Sequence, residues 1–407
     1  MGQGALRSTS FGISIQTDEG EVIYEQNPTR PVKPASNLKL VTTAVALEKL
    51  GPEFRFQTDI FYDGYLTYGV LHGNLIISGS TDPVLSGYFD GRINDIVRQL
   101  VDTLYTLGIH EIRGDVILDN SYYVGDEVIE ADEDYLPISF STVASFSQAN
   151  SSQMGRVSRV RVIRTRHGKK RVVRSGFSRG SRLRRVTIEP NVYMTNALLK
   201  EFQSRNMVLS NGIEKVNNTG KIDRTTWKHI YTHYSEPLSR ILMRTNKNSD
   251  NFYADQLLRT LGGELHGEAS IEKGIAAVEQ FLLYSVGVDR REFTLADGSG
   301  LSHENLVTPN LLVEVMKYMK HRSSYFTTYY ESLSIPTVDG TLSSRIFHEL
   351  ATNIRAKTGT ISGVTSLSGY LTSRSGLDIY FSIICNGSRK KTLKNVEDRI
   401  CQVLLEI

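Results

Sequence analysis

Apolar and polar positions near the start of the chain alternate one by one. Phe11-Gly12-Ile13-Ser14-Ile15 reads as a strand, and Glu21-Val22-Ile23-Tyr24-Glu25 answers it across Asp18-Glu19-Gly20, which predicts a hairpin. The period then changes. From Leu38 to Leu50 the residues Leu38, Leu40, Val41, Ala44, Val45, Ala46, Leu47 and Leu50 leave almost no polar face, so a central, buried helix is expected, stopped by Gly51-Pro52. Short strands follow at residues 57–62, 66–71 and 74–78, then a helix at 94–107 ending at Gly108 and a strand stretch at 111–119; together they read as a separate α+β body. Val192, Met194, Ala197, Leu198, Leu199 and Phe202 predict a packed helix over 190–204. Helices are expected around Leu238, Ile241 and Leu242, from Phe252 to Leu258, over 272–284 and over 308–319. Strands at 354–360, 367–372 and 379–385 precede a closing helix at 395–406. Strands at both ends of the chain suggest one sheet formed by the two termini, with helices packed on it.

Composition narrows the class without naming a chemistry. With 407 residues, 40 % of them hydrophobic, and a net charge of +3, the chain is expected to form two or three domains, with ample apolar residue to build a full core. No apolar run is long enough to span a bilayer as a helix. Met1-Gly2-Gln3-Gly4-Ala5 lacks a basic segment followed by an apolar one, which fits either a cytoplasmic protein or a mature form whose export signal was removed. Cys385 and Cys401 lie in different apolar segments and are expected to be reduced core residues. An acidic loop is expected at 126–134, and a Lys/Arg-rich segment follows, with Arg159-Val160-Arg161-Val162-Ile163-Arg164 and Arg171-Val172-Val173-Arg174 alternating around a turn at Gly168-Lys169-Lys170. This basic hairpin, at about 156–186, suits an anionic wall or membrane surface or simply a solvated face. It lacks the interleaved aromatics that nucleic-acid binding would use, so no nucleic-acid partner is expected. His229 and His233 lie four apart with no third ligand in evidence, and no metal or other cofactor is expected.

Candidate chemistry begins at Pro34-Ala35-Ser36-Asn37-Leu38-Lys39-Leu40. Residues three apart share a helix face, so Ser36 Oγ and Lys39 Nζ can meet as a nucleophile and its base, provided burial or a second cation favours the neutral amine. Such a pair arises readily by chance. Ser249-Asp250-Asn251, at a helix-to-helix junction, and Lys357-Thr358-Gly359, opening a strand, raise its weight: together the three are the signature set of penicillin-binding proteins and class A β-lactamases.

These residues, with Asp297-Gly298-Ser299-Gly300-Leu301-Ser302, Val338-Asp339-Gly340-Thr341-Leu342 and Thr360, give the chain its resemblance to the penicillin-recognising serine D,D-peptidases, and among them to the D-alanyl-D-alanine carboxypeptidase/endopeptidase family S13. The resemblance implies an α/β (α+β) fold: a transpeptidase-like catalytic domain, an antiparallel sheet flanked by helices, formed by 1–58 and 232–407 and interrupted by a large α+β insertion at 59–231. More than 200 residues separate the first two motifs, as in that family and unlike class A β-lactamases. The resemblance further implies catalytic roles for Ser36, Lys39, Ser249, Asn251 and Lys357, with substrate binding at Thr358, Gly359 and Thr360. Lys357 is expected to help depress the pKa of Lys39. The implied partners are peptidoglycan stem peptides and, as covalent inhibitors, β-lactams; the implied place of action is periplasmic or extracytoplasmic. From Asp126 to Arg185 the likeness fades. A non-catalytic wall-binding protein of the same fold and a β-lactamase or esterase stand as the alternatives.

Overall fold

A computed structural model of the protein describes residues 9–79, 93–119, 190–216 and 224–407, with the short strand segments 129–132, 163–164, 171–172 and 185–188. The chain divides into two compact units, Met1–Phe56 with Glu236–Ile407, and Gln57–Ser235.

In the first unit β1 (Ser10–Thr17), β2 (Val22–Gln26), β3 (Ile354–Ile361), β4 (Val364–Thr372) and β5 (Asp378–Asn386) form one antiparallel sheet in the order β3-β4-β5-β1-β2. The N-terminal hairpin therefore pairs onto the last strand of the chain, Ser10 facing Asn386 and Thr17 facing Ile379. The helices are α1 (Lys39–Leu50), α2 (Leu238–Lys247), α3 (Asn251–His266), α4 (Ile271–Gln280), α5 (Pro309–Arg322), α6 (Phe326–Glu331) and α7 (Lys390–Leu405).

Strand periodicity sorts the two faces of this sheet. Leu367, Leu371, Ile379, Phe381, Ile383 and Cys385 meet Leu393, Cys401, Leu404 and Leu405 of α7 in one apolar core. The alternate positions carry small hydroxyls: Ser366 Oγ donates to the Pro34 carbonyl at 2.7 Å, and Asn37 Nδ2 donates to Ser368 Oγ at 2.6 Å. That polar face holds the turn that carries Ser36. Both cysteines are buried free thiols whose pKa values burial raises.

In the second unit the strands Ile213–Val216, Val116–Asp119, Leu75–Gly79, Gln57–Tyr62 and Lys228–Tyr234 make a mixed sheet. Helices Ile93–Thr106 and Pro190–Ser204 close its core through Val97, Leu100, Val101, Leu104, Met194, Leu198 and Phe202. Two expectations change here. The strand expected at 66–71 is a tight hairpin, Tyr65–Thr67 against Val70–His72, because Tyr68 (φ 46°) and Gly69 (φ 77°) both take left-handed backbone. The acidic stretch expected as a loop contains a strand, Ile129–Asp132, paired antiparallel with Arg185–Ile188; ladder hydrogen bonds to that partner outweigh its poor strand composition. Of the basic hairpin, Ile163–Arg164 pairs with Arg171–Val172, and the turn at Gly168-Lys169-Lys170 lies outside the described residues. His229 bonds Thr232 on the strand surface. Among the described residues no group of His, Cys, Asp and Glu is arranged to hold a metal, and no helix is long and apolar enough to cross a membrane.

Candidate active site

Ser36 lies in a single 3-10 turn, Ala35–Leu38, that runs directly into α1. The turn is entered through strained backbone: Ala35 has φ 50°, a region an alanine occupies only when its surroundings impose it. Three contacts do so. Ser366 holds the Pro34 carbonyl, Asn37 is tied to Ser368, and Gly300 presses so closely that a Cβ there would lie 1.8 Å from the Ala35 oxygen. Gly359 of β3 approaches from the other side, where a Cβ would sit 2.9 Å from the Pro34 oxygen.

Lys39 opens α1, a helix buried over its first nine residues, and is itself fully enclosed. Its Nζ lies 3.1 Å from Ser36 Oγ, 2.7 Å from Asn251 Oδ1 and 2.7 Å from the Ser299 carbonyl oxygen. The last two groups are pure acceptors. A neutral amine donating to both keeps its lone pair for the Ser36 hydroxyl. Ser36 retains 8 % exposure, whereas Lys39 and Lys357 are enclosed behind it.

Helices α2 and α3 meet at the second motif. Asp250 caps α3, accepting from the Tyr253 N–H at 3.2 Å, while Arg244 reaches the same carboxylate at 3.3 Å. The middle residue of Ser-Asp-Asn thus serves as a helix cap. Ser249 takes φ 57°, a second strained position, and receives Lys357 Nζ on its hydroxyl at 2.8 Å; Asn251, two residues further on, turns to Lys39. The fold therefore forms two hydrogen-bonded groups, Ser36–Lys39–Asn251 and Ser249–Lys357, joined through the 249–251 backbone.

Strand β3 is the edge of its sheet. Ala356 spends its N–H and C=O on Ser334, so in the antiparallel alternation Thr358 and Thr360 turn their backbone groups to that same outer edge. Thr358 Oγ1 donates to Thr341 Oγ1 at 2.7 Å, and Thr360 is exposed. Asp339, two residues before Thr341, is anchored by Lys247 at 2.6 Å and by the Ile335 N–H at 2.9 Å.

Electrostatics rank the two causes expected to lower Lys39, burial and a second cation. Burial holds the pKa of Lys39 down, to about 8, while Asp255, Asp297 and Asp250 pull it back up. Lys357 is depressed well below the ordinary lysine value, first by burial and then by the charge of Lys39. Enclosure is thus the main cause that lowers both amines, and the repulsion between them, which acts on each alike, comes second. Of the carboxylates around Lys39, Asp250 and Asp297 lie in motifs read from the sequence and Asp255 does not; the oxygens of Asp297 accept from Gly300 N, Ser302 N and Asn305 Nδ2 within its loop. Asp255 had a readable signal: it follows Asn251 by one helical turn and so shares its face.

The profile of the D-Ala-D-Ala carboxypeptidase 3 (S13) family matches residues 1–141 and 134–407. A D-alanyl-D-alanine carboxypeptidase of Actinomadura sp. (strain R39) is 27 % identical over 456 residues, spanning 99 % of this chain and 82 % of that one. The D-alanyl-D-alanine carboxypeptidase DacB of Haemophilus influenzae is 26 % identical over 434 residues, 97 % of this chain and 88 % of its own length. Among solved structures, penicillin-binding protein 4 (dacB) from Haemophilus influenzae, complexed with a β-lactam, superposes with a TM-score of 0.77 at 23 % identity, covering 100 % of this chain and 98 % of that one, which bears on the fold. The chain belongs to the D-Ala-D-Ala carboxypeptidase 3 (S13) family and is a serine-type D,D-peptidase.

Proposed function

We propose that Ser36, Lys39, Ser249, Asn251 and Lys357 form the catalytic centre and that Thr358, Gly359 and Thr360 line the substrate edge. The observation that carries this is the Lys39 amine, enclosed, aimed at Ser36 Oγ and held by two acceptors that cannot protonate it. Lys39 takes the hydroxyl proton as Ser36 Oγ attacks the carbonyl carbon of the penultimate D-Ala of a stem peptide. The backbone N–H groups of Ser36 and Thr360 receive the developing oxyanion; a donor of this kind is worth about 10² to 10³ in rate. Ser249 passes a proton to the departing amine, the C–N bond breaks, and an acyl-enzyme remains on Ser36. Water then attacks that ester, its proton returning through Lys39, and the shortened peptide leaves. Lys357 and Thr358 hold the substrate carboxylate, whose arrival restores the positive charge that burial disfavours in the empty site.

The same attack on a β-lactam ring leaves an acyl-enzyme, the state of the penicillin G-acylated predatory endopeptidase of Bdellovibrio bacteriovorus. The insertion expected at 59–231, which the compact unit Gln57–Ser235 supports, is read as a domain inserted into the catalytic one, and the site of action as extracytoplasmic, where peptidoglycan is met. The basic segment at about 156–186 is assigned to an anionic wall or membrane surface.

Intact mass spectrometry tests the reading. Incubation with benzylpenicillin should add one penicilloyl group to the wild type and none to Ser36→Ala, and D-Ala should be released from a purified pentapeptide by the wild type alone. An adduct that persists in Ser36→Ala would overturn the assignment of the nucleophile. Comparing pentapeptide with a cross-linked muropeptide then separates carboxypeptidase from endopeptidase action.

A further inference from the structure

Asp255 takes no part in the scheme above, yet it lies one helical turn beyond Asn251, on the same face of α3. Its Oδ1 accepts the Gly298 N–H at 2.9 Å, and the Ser299 hydroxyl bonds the same carboxyl. The Gly298 carbonyl takes the Thr42 hydroxyl of α1 at 2.7 Å, and the next carbonyl, that of Ser299, takes Lys39 Nζ at 2.7 Å. Gly298 runs so close to α3 that a Cβ would stand 2.7 Å from the Ala254 oxygen. The loop at 297–300 is therefore clamped between two helices, and Asp255 is the side chain on α3 that does the clamping. We propose that Asp255 is a positioning residue: it fixes the Ser299 carbonyl that aims the Lys39 amine at Ser36, and its negative charge holds a proton on that amine.

Both halves follow from placement. One of the two acceptors that orient Lys39 belongs to a loop with no helix or strand hydrogen bonds of its own, so its position depends on the groups that grip it. A misplacement of about 1 Å at such a centre can cost about 10² in rate. The charges that face Lys39 are Asp250 at the cap of α3, Asp255 within α3, Asp297 from the loop and Lys357 from β3. Asp255 in turn faces Asp297 and Lys39. It lies deep in the unit without being sealed from solvent, and burial and the Asp297 charge raise its pKa to about 7. Above that pH it is an anion, and an anion nearby favours the protonated amine. Removing the charge while keeping an acceptor oxygen should free Lys39 to act as a base at lower pH.

This inference rests on Lys39 being the base, and the experiment separates the two. The rate constant for acylation by a fluorescent penicillin is measured from pH 6 to 10 on the full chain, with melting temperatures recorded. The wild-type rate should rise with pH through about 8, where Lys39 loses its proton. Asp255→Asn keeps an oxygen for the Gly298 N–H; its rise should move to lower pH by about half a unit or more, the direction expected when an opposite charge is removed. Asp255→Ala lacks both acceptor and charge, and its plateau should fall about tenfold or more below that of Asp255→Asn. Should Asp255→Asn fail to fold, Asp255→Ser supplies a second neutral acceptor for the same comparison. A wild-type rise left in place by the neutral variants, or a full plateau in Asp255→Ala, overturns the inference alone. A flat wild-type profile overturns it together with the assignment of Lys39 as base.

Discussion

The two buried lysines of the site make an instructive pair. Lys39 and Lys357 are each wholly enclosed, each bonded to a serine hydroxyl, and each depressed by burial. Their surroundings differ in sign. Lys39 stands among Asp250, Asp255 and Asp297, which keep its pKa at about 8, within reach of titration near neutrality. Lys357 bonds Ser249 Oγ and the Thr358 carbonyl and has no carboxylate partner among the described residues, while the charge of Lys39 pushes it down further. An amine whose protonated form is countered by fixed anions can give and take a proton without help. An amine lacking such an anion favours a ligand that brings one. The same residue type, in one pocket, is thus suited to proton transfer in one place and to carboxylate capture in the other.

The comparison breaks most cleanly at Lys39. Lys39→Met keeps the apolar stem and removes the amine, and acylation of Ser36 should fall by about 10⁴ or more, the scale on which a catalytic group acting as part of a unit is lost. Stopped-flow acylation read at several pH values checks this; a residual rate that still climbs through about 8 would show that another group titrates. Lys357→Met should cost about 10² on a substrate with a free carboxylate, the penalty for stranding one partner of a charge pair. On the corresponding methyl ester the loss should shrink. An equal loss on both substrates would assign Lys357 to the chemistry rather than to carboxylate capture. A smaller effect should come from Gly300→Ala. Its φ is 80° and its Cβ would meet the Ala35 oxygen at 1.8 Å, so the Ser36 turn must shift, and stability should drop by about 1–3 kcal/mol. Chemical denaturation measures the drop, and acylation of both penicillin and ester should slow together, because the nucleophile moves and neither lysine does.

Much of the first unit was legible in the sequence because its signals are local. Alternation at Phe11–Ile15 and a short apolar run at Ile379–Cys385 marked strands, and the structure pairs those two segments directly. The run from Leu38 to Leu50 marked a buried helix, and Gly51 with φ 80° ends it as a stop residue should. The hairpin at Tyr68-Gly69 escaped notice since tyrosine seldom takes left-handed backbone; only the glycine beside it was a signal. The strand at Ile129–Asp132 could not be read either, because it is held by Arg185–Ile188, more than fifty residues downstream.

At the site, residue types and spacing indicated which groups belong to one chemistry: a hydroxyl with an amine three positions on, and two later motifs able to complete them. Spacing carries no information about enclosure, and the protonation of each amine follows from enclosure. That Asp255 grips the loop carrying the Ser299 carbonyl, that three carboxylates crowd Lys39 while Lys357 has none among the described residues, and that Ala35 and Ser249 are held in strained backbone were decided by the tertiary structure alone. The physical reason is that desolvation and Coulomb forces depend on distance in space, and segments more than 200 residues apart become neighbours only when the sheet and its helices close around them.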